Sequence, residues 1–247
     1  MAKKYIILDT ETTGTSEEDR VIQLGYMVLG SKEIEVYNEF FRSDIPISFA
    51  AMEVHGITPD MIEGKESCAQ SSSYKRLQEL NTNENYLIIH NAKFDIDMLK
   101  KEGFNPQMRV IDTLRVAKHI FPNEEAHRLQ YFRYKMELYK NEESEAKELG
   151  ITVKAHDAIG DVLVLKLFLS KLKEEICKLF PKENPVDKMV DLTMTPIFIN
   201  SFNFGKYRGK TLQEVATSDA AYLRWMLGSM ENLDDDMRYS INRVLGN

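Results

Sequence analysis

The chain has 247 residues, 43% of them hydrophobic, with 32 Lys and Arg against 39 Asp and Glu, a net charge of -7 and a pI near 5.4. That length accommodates one large core plus a small appendage, and the acidic balance excludes a protein that holds nucleic acid by bulk electrostatics. Any such contact is therefore local or metal-assisted. Cys68 and Cys177 stand far apart without metal-ligand spacing, which reads as reduced thiols rather than a disulfide framework. Met1-Ala2-Lys3-Lys4 leads into an apolar run too short for a signal peptide or membrane span, so the expectation is a cytoplasmic protein without membrane contact.

Tyr5 to Thr10, Val21 to Leu29 and Ile34 to Arg42 read as three strands, and Gly30-Ser31-Lys32 supplies a hairpin signal between the last two. The pattern predicts an antiparallel meander. Tyr86 to His90 is a further strand; Asn91 is placed to cap a helix through Phe94, Met98 and Leu99 that stops near Gly103. Arg109 to Asp112 forms a short strand, followed by helices over Thr113 to Ile120 and from about His127 to Tyr139. His119 and His127 fall on these helices and read as structural or surface residues. Asn141 to Gly150 is acidic and polar, an exposed extension or loop. The spacing of Val162, Leu165, Leu169, Leu172 and Ile176 predicts a long amphipathic helix over Ala158 to Phe180, ended by Pro181 and Pro185.

Antiparallel strands followed by alternating helices and strands predict an α/β fold, a mixed sheet covered by helices. Residues 1–181 form the main domain in this reading. Lys182 to Pro196 is rich in proline and charge and reads as a linker (182–197), and 198–247 is a small C-terminal module.

Chemistry enters with the acids. Asp9 and Glu11 follow the apolar run Tyr5-Ile6-Ile7-Leu8, so the two-residue period of a strand puts both carboxylates on one face. Such a pair repels itself unless a cation joins it, and hard divalent cations prefer carboxylate oxygen. Asp95 follows the second apolar run, and Asp161 lies at the mouth of the long apolar helix. Asp112 and Asp157 have the simpler reading of solvated or capping groups.

Asp9-Thr10-Glu11-Thr12-Thr13-Gly14, His90-Asn91-Ala92-Lys93-Phe94-Asp95 and His156 to Asp161, in this order and spacing, resemble the three motifs of the DEDD 3′-to-5′ exonucleases. Val54-His55-Gly56-Ile57-Thr58 resembles the segment between the first two. The similarity covers about residues 5 to 175. His156, five positions before Asp161, marks the histidine branch; the other branch has tyrosine four positions before, where this chain has Asp157. The resemblance implies an RNase H-like fold and two divalent ions, Mg²⁺ or Mn²⁺. Asp9, Glu11 and Asp161 are then direct ligands, with Asp95 reaching one metal directly or through water, and His156 takes the proton from the attacking water. The product is a nucleoside 5′-monophosphate.

The resemblance further implies that Thr10, Thr12, Thr13 and Gly14 approach the 3′ terminal sugar, that His55 and Asn91 lie at the substrate, and that Phe94 stacks on the terminal nucleotide. Core packing is the alternative for Phe94.

In the tail, Phe202 to Lys210 alternates cations at Lys206, Arg208 and Lys210, which on an extended strand would face one side as a DNA contact. A solvated edge strand blunted by lysines fits the same residues. Thr211 to Val215 and Tyr222 to Leu227 are similar to the small C-terminal module of exonuclease X-type bacterial proteins. The reading that results is a metal-dependent exodeoxyribonuclease acting on single-stranded or frayed DNA 3′ ends, in repair or end trimming. Its rivals are RNA trimming, a polymerase proofreading subunit and a catalytically silent nucleic-acid-binding module. No heptad or apolar stripe assigns an oligomeric state.

Overall fold

A computed structural model describes residues 3–30, 33–151 and 157–246. Its sheet has the order β3-β2-β1-β4-β5, built from β1 (Tyr5–Thr12), β2 (Val21–Leu29), β3 (Glu35–Phe40), β4 (Tyr86–Ile89) and β5 (Arg109–Asp112). The first three strands are antiparallel, and β4 and β5 run parallel to β1. This is the mixed sheet expected of the RNase H-like fold. The helices are α1 (Phe49–His55), α2 (Pro59–Ile62), α3 (Ser72–Leu80), α4 (Ala92–Lys101), α5 (Thr113–Ile120), α6 (Leu129–Lys135), α7 (Tyr139–Leu149), α8 (Ala158–Leu179), α9 (Pro185–Met194), α10 (Leu212–Ser218), α11 (Ala220–Ser229) and α12 (Asp235–Leu245).

Strand alternation sorts the core into two layers. Ile7, Met27, Ile88 and Ile111 join Val162, Leu165 and Phe168 of α8 on one face. Ile6, Leu8, Tyr26, Leu87 and Ile89 join Tyr74 and Leu77 of α3 and Leu99 of α4 on the other. Both faces are covered over the middle of the sheet, so β1, β2 and β4 read as nearly continuous apolar runs. The parity of β1 puts Asp9 and Glu11 on the Ile7 side, toward α8, and Thr10 on the side of α4.

Several expectations are corrected. Asn141 to Leu149 belongs to helix α7, capped by Gly150, and is not a loop: Glu142 and Ala146 are buried, and Arg133 grips Glu142 through two hydrogen bonds of 2.6 Å. A neutralised acid supplies the inner stripe where an apolar residue would have signalled it. The helix expected over His127 to Tyr139 splits into α6 and α7, because Glu137 takes φ 54° between them. His127 precedes α6, and its Nε2 donates to the Phe121 carbonyl at 2.8 Å. Asn91 sits at the start of α4 in the left-handed region, φ 74°, and its side chain does not cap. Asp112 does that instead, accepting from the Asn91 and Ala92 amides at 3.1 Å each, and it also caps α5 through Leu114 and Arg115.

The chain divides into two compact units, 1–193 and 194–247. Most of the stretch read as a linker is α9, whose Met189 and Leu192 are buried in the α8-side core. The second unit has its own core of Phe202, Leu212, Val215, Leu223, Met226, Met237 and Ile241. Phe202 to Lys210 is not an extended strand. It is a tight loop closed by paired backbone hydrogen bonds between Phe202 and residues 209 and 210, with Gly205 and Gly209 at positive φ. The three cations therefore do not share a strand face.

Candidate active site

The acids gather at the C-terminal end of β1. Ligand oxygens of Asp9, Glu11 and Asp161 lie within 4.8 Å of one another, and all three residues are half-buried. Glu11 falls inside the strand, since β1 continues to Thr12 and shifts register only between Glu11 and Thr12. Asp161 comes from the first turn of α8, and Gln130 Nε2 donates to it at 2.7 Å.

Two residues of β2 bring that turn in. Gly25 lies opposite Asp9 and Gln23 opposite Glu11, so both face α8. A Cβ on Gly25 would stand 2.7 Å from the backbone of Ala158 and Ile159; only the bare strand lets the helix end come this close. Gln23 is fully buried. Its Nε2 donates to Asp157 and to Asn38, and its Oε1 accepts from the Ala158 amide at 3.4 Å. Neither residue carries a sequence signal for this role, although a glycine inside a strand is a general marker of close approach.

Asp95 approaches from the α4 side and is buried. Its Oδ1 accepts from the Thr10 amide at 3.0 Å and the Thr10 hydroxyl at 2.7 Å. It stands outside the three-carboxylate group, close enough for its charge to raise Asp9.

The electrostatics follow from packing like charges out of water. Burial, then the charges of Asp95, Glu11, Asp161 and Asp157, hold Asp9 well above the usual carboxylate range. Burial, then Asp161, Asp95 and Asp157, push Glu11 up to about 8. Burial raises Asp95 to about 7, against the opposing pull of the Thr10 hydrogen bonds. Such a cluster is strained as anions and relieved by a proton or a cation. Oxygen-only donors at this spacing suit a hard divalent ion, and the residues present fit one.

Beside the acids a pocket of about 350 Å³ is lined by Thr10, Glu11, Thr12, Gly14, His55 and Phe94, together with Ser48, Ala50, Ala51 and Val54 around α1. That volume falls in the ordinary range for small-molecule sites. Val54 and His55 are the part of this wall met in the sequence analysis; the helix that carries them was not, because seven residues are too few to show periodicity. Phe94 is half-buried and also lines a neighbouring pocket of about 390 Å³ with Asn91, Lys93 and Lys101.

The threonine hydroxyls are committed inward. Thr10 binds Asp95, Thr12 donates to the Gly14 carbonyl at 2.6 Å, and Thr13 donates to Asp19 at 2.7 Å. Asp19 also accepts from Ser16 and lies against Gly14, where a Cβ would meet its carboxylate at 2.7 Å. His55 is buried with both ring nitrogens used: Nε2 donates to the Thr12 carbonyl at 3.1 Å and Nδ1 accepts from the Ile57 amide at 2.9 Å. Burial lowers its pKa. Thr10, Thr12 and His55 thus shape the pocket wall, and Thr13, fully buried, braces the turn behind it. His90 is likewise structural: its Nε2 donates to the His127 carbonyl at 2.8 Å and burial lowers it to about 4. His156 lies outside the described residues; Asp157, next in the chain, is the one that Gln23 holds.

A family described as Exonuclease matches residues 6–168, the span that holds all of these residues. The chain belongs to this exonuclease family. A second family, described as Exodeoxyribonuclease X-like C-terminal, matches 202–231. Exodeoxyribonuclease 10 of Escherichia coli strain K12 is 26% identical over 98% of both chains. The PolC-type DNA polymerase III of Bacillus cereus is 33% identical over 54% of this chain and 10% of its own length. Among solved structures, exonuclease X in complex with 5′ overhanging duplex DNA aligns with TM-score 0.53 at 19% identity, covering 77% of this chain and 98% of that one. Escherichia coli exonuclease I with a dT13 oligonucleotide aligns with TM-score 0.53 at 19% identity, over 72% and 43%. Among the described residues no helix is long and apolar enough to cross a membrane.

Proposed function

We propose that the protein is a metal-dependent 3′-to-5′ exodeoxyribonuclease that removes nucleoside 5′-monophosphates from single-stranded or frayed DNA ends, in repair or end trimming. The observation that carries this is the meeting of Asp9, Glu11 and Asp161 within 4.8 Å, with Glu11 also lining the adjacent nucleotide-sized pocket. The match to exodeoxyribonuclease 10 over both full lengths supports DNA as substrate, and the PolC-type relative, which covers about half of this chain, gives the proofreading reading less support.

Asp9, Glu11 and Asp161 would hold two divalent ions, Mg²⁺ or Mn²⁺, with Asp95 oriented by Thr10 as a further carboxylate. When bound, the ions supply Lewis-acid activation of water and charge stabilisation of an in-line displacement at phosphorus. The pocket between Glu11 and Phe94 seats the terminal nucleoside, its ring stacking on Phe94 and its sugar meeting the backbone of 12 to 14. His156 accepts the proton of the attacking water; an imidazole with a pKa of about 6.5 suits that task near neutral pH. The leaving 3′ oxygen is then the new end of the strand.

The test is digestion of matched DNA and RNA oligonucleotides labelled at the 5′ end, with Mg²⁺, Mn²⁺ or chelator, by the wild type and by Asp9→Ala. A metal-dependent ladder from the 3′ end of DNA, absent in the variant, is the expected result. A ladder on RNA alone would move the assignment to RNA trimming. No cleavage of either by folded wild-type protein would leave a nucleic-acid-binding module.

A further inference from the structure

The second unit carries aromatic surface that its own core does not consume. Phe202, buried at 2% exposure, is the hub of a connected set of rings: Phe204 at 6.1 Å, Tyr207 at 6.4 Å and Tyr222 at 6.3 Å between centroids. Tyr222 leads on to Trp225 at 5.7 Å. At the ends of this set Phe204 is 40% and Trp225 52% exposed.

The charges around them are sorted. Residues 194–247 contain six Lys or Arg (206, 208, 210, 224, 238, 243) and six Asp or Glu (214, 219, 231, 234, 235, 236), so the whole net charge of -7 belongs to residues 1–193. Four of the six acids are bound into local structure. Glu214 closes a capping box with Thr211, and Asp234 caps α12. Asp236 accepts from the Ile197 amide, and Asp219 takes Lys206, the Tyr207 hydroxyl and the Tyr222 amide. Among the cations, Arg238 donates to the Leu227 carbonyl and Arg243 lies over Phe198. Arg208, Lys210 and Arg224 are exposed and make no ion pair among the described residues. Arg208 and Lys210 lie in the same loop as Phe204 and Tyr207, and Arg224 precedes Trp225 in α11.

We propose that this face binds single-stranded nucleic acid, with Phe204 and Trp225 taking base faces and Arg208, Lys210 and Arg224 taking phosphates. The choice of occupant rests on the exonuclease reading, and on the occurrence of exposed rings and exposed cations in the unit where a polyanion meets no net repulsion. Exposed bases offer π faces that a duplex hides in its stack, so single strands are favoured. Tethering the substrate here would raise its effective concentration at the acids without touching the chemistry.

The test is equilibrium binding of a fluorescent oligothymidylate to the full chain in chelator, where hydrolysis is absent, across a salt series. Phe204→Ala with Trp225→Ala should weaken binding by roughly tenfold or more, and Trp225→Phe should retain most of it. Arg208→Gln with Lys210→Gln should weaken binding and reduce the slope against log salt by about 1.4, the value for two phosphate contacts on a single strand. Hydrolysis of a trinucleotide with Mn²⁺, assayed in parallel, should be unchanged in every variant. Unaltered affinity and salt slope in both double variants would overturn the proposal. Loss through the charges alone would overturn its stacking half. Absence of hydrolysis in the wild type would sink the exonuclease reading while leaving the binding result interpretable.

Discussion

Asp9 and Glu11 on one side and Asp161 on the other carry the same charge into the same 4.8 Å space, yet the chain holds them by different means. The first pair rides on a central strand, so their separation and facing are set by the pleat of β1 and its pairing with β2 and β4. Asp161 belongs to a helix that must be docked against the sheet, and its place depends on a missing side chain at Gly25 and on the fully buried Gln23. Local geometry secures one half of the site; tertiary fit secures the other. The second kind of support is the more easily damaged by residues that never touch substrate.

The largest test of that contrast removes charge from each half in turn. Asp9→Asn and Asp161→Asn should each lower kcat by at least about 10³-fold, measured with saturating Mn²⁺ on a 5′-labelled oligonucleotide, because either loss breaks the same cluster. Equal effects would confirm that the halves act as one unit; a mild effect of Asp161→Asn would detach α8 from the site.

Gly25→Val strikes only the docked half. It should lower stability by about 1–3 kcal/mol through overpacking, and kcat by about 10²-fold through displacement of Asp161. Denaturant melts and Mn²⁺ titration read the two effects separately. Retained metal affinity in a destabilised protein would show that α8 can back away without moving its acid.

The pH dependence of the metal-free protein probes both halves together. Glu11 at about 8 and Asp95 at about 7 lie above their unfolded values of 4.5 and 3.8, so the folded state holds protons that the unfolded state releases. Their contribution is full below the unfolded values and is lost as pH rises through the folded ones. The Tm in chelator should therefore fall between pH 5.5 and about 8.5, and Mn²⁺ should flatten that fall by replacing the protons. A Tm in chelator that rises across this interval would contradict the repulsion described here.

The smallest expected effect on the metal site is on the strand side. Thr10→Val removes the hydroxyl donor and keeps the amide donor to Asp95. It should cost about 1.5–3 kcal/mol in stability at most and weaken Mn²⁺ binding by less than tenfold, as seen by calorimetry.

The same contrast explains what the amino-acid order disclosed. Strands β1, β2 and β4 and helix α8 were legible because apolar runs and a sustained helical period survive in the sequence. So was the pairing of Asp9 with Glu11, which needs nothing but a period of two. Helix α7 was hidden because its inner face is built on Glu142, an acid that only Arg133, from another helix, makes buriable. Helix α1 was hidden by its length, and α3 by a buried face that mixes Ser73 with Tyr74, Leu77 and Leu80. The exonuclease motifs named the acids, but they did not foretell that the hydroxyls of Thr10, Thr12 and Thr13 and both nitrogens of His55 would be spent on the protein itself. Hydrogen bonds between residues distant in the chain leave no period to read.

Asp112, introduced above as a cap, joins α4 and α5 at one carboxylate. The two helices consequently share a single fraying point. Opening at β5 would release both first turns in one event, so the amides of Ala92 and Leu114 should exchange with solvent at matched rates, and α4 cannot loosen without unsettling the core beneath α8.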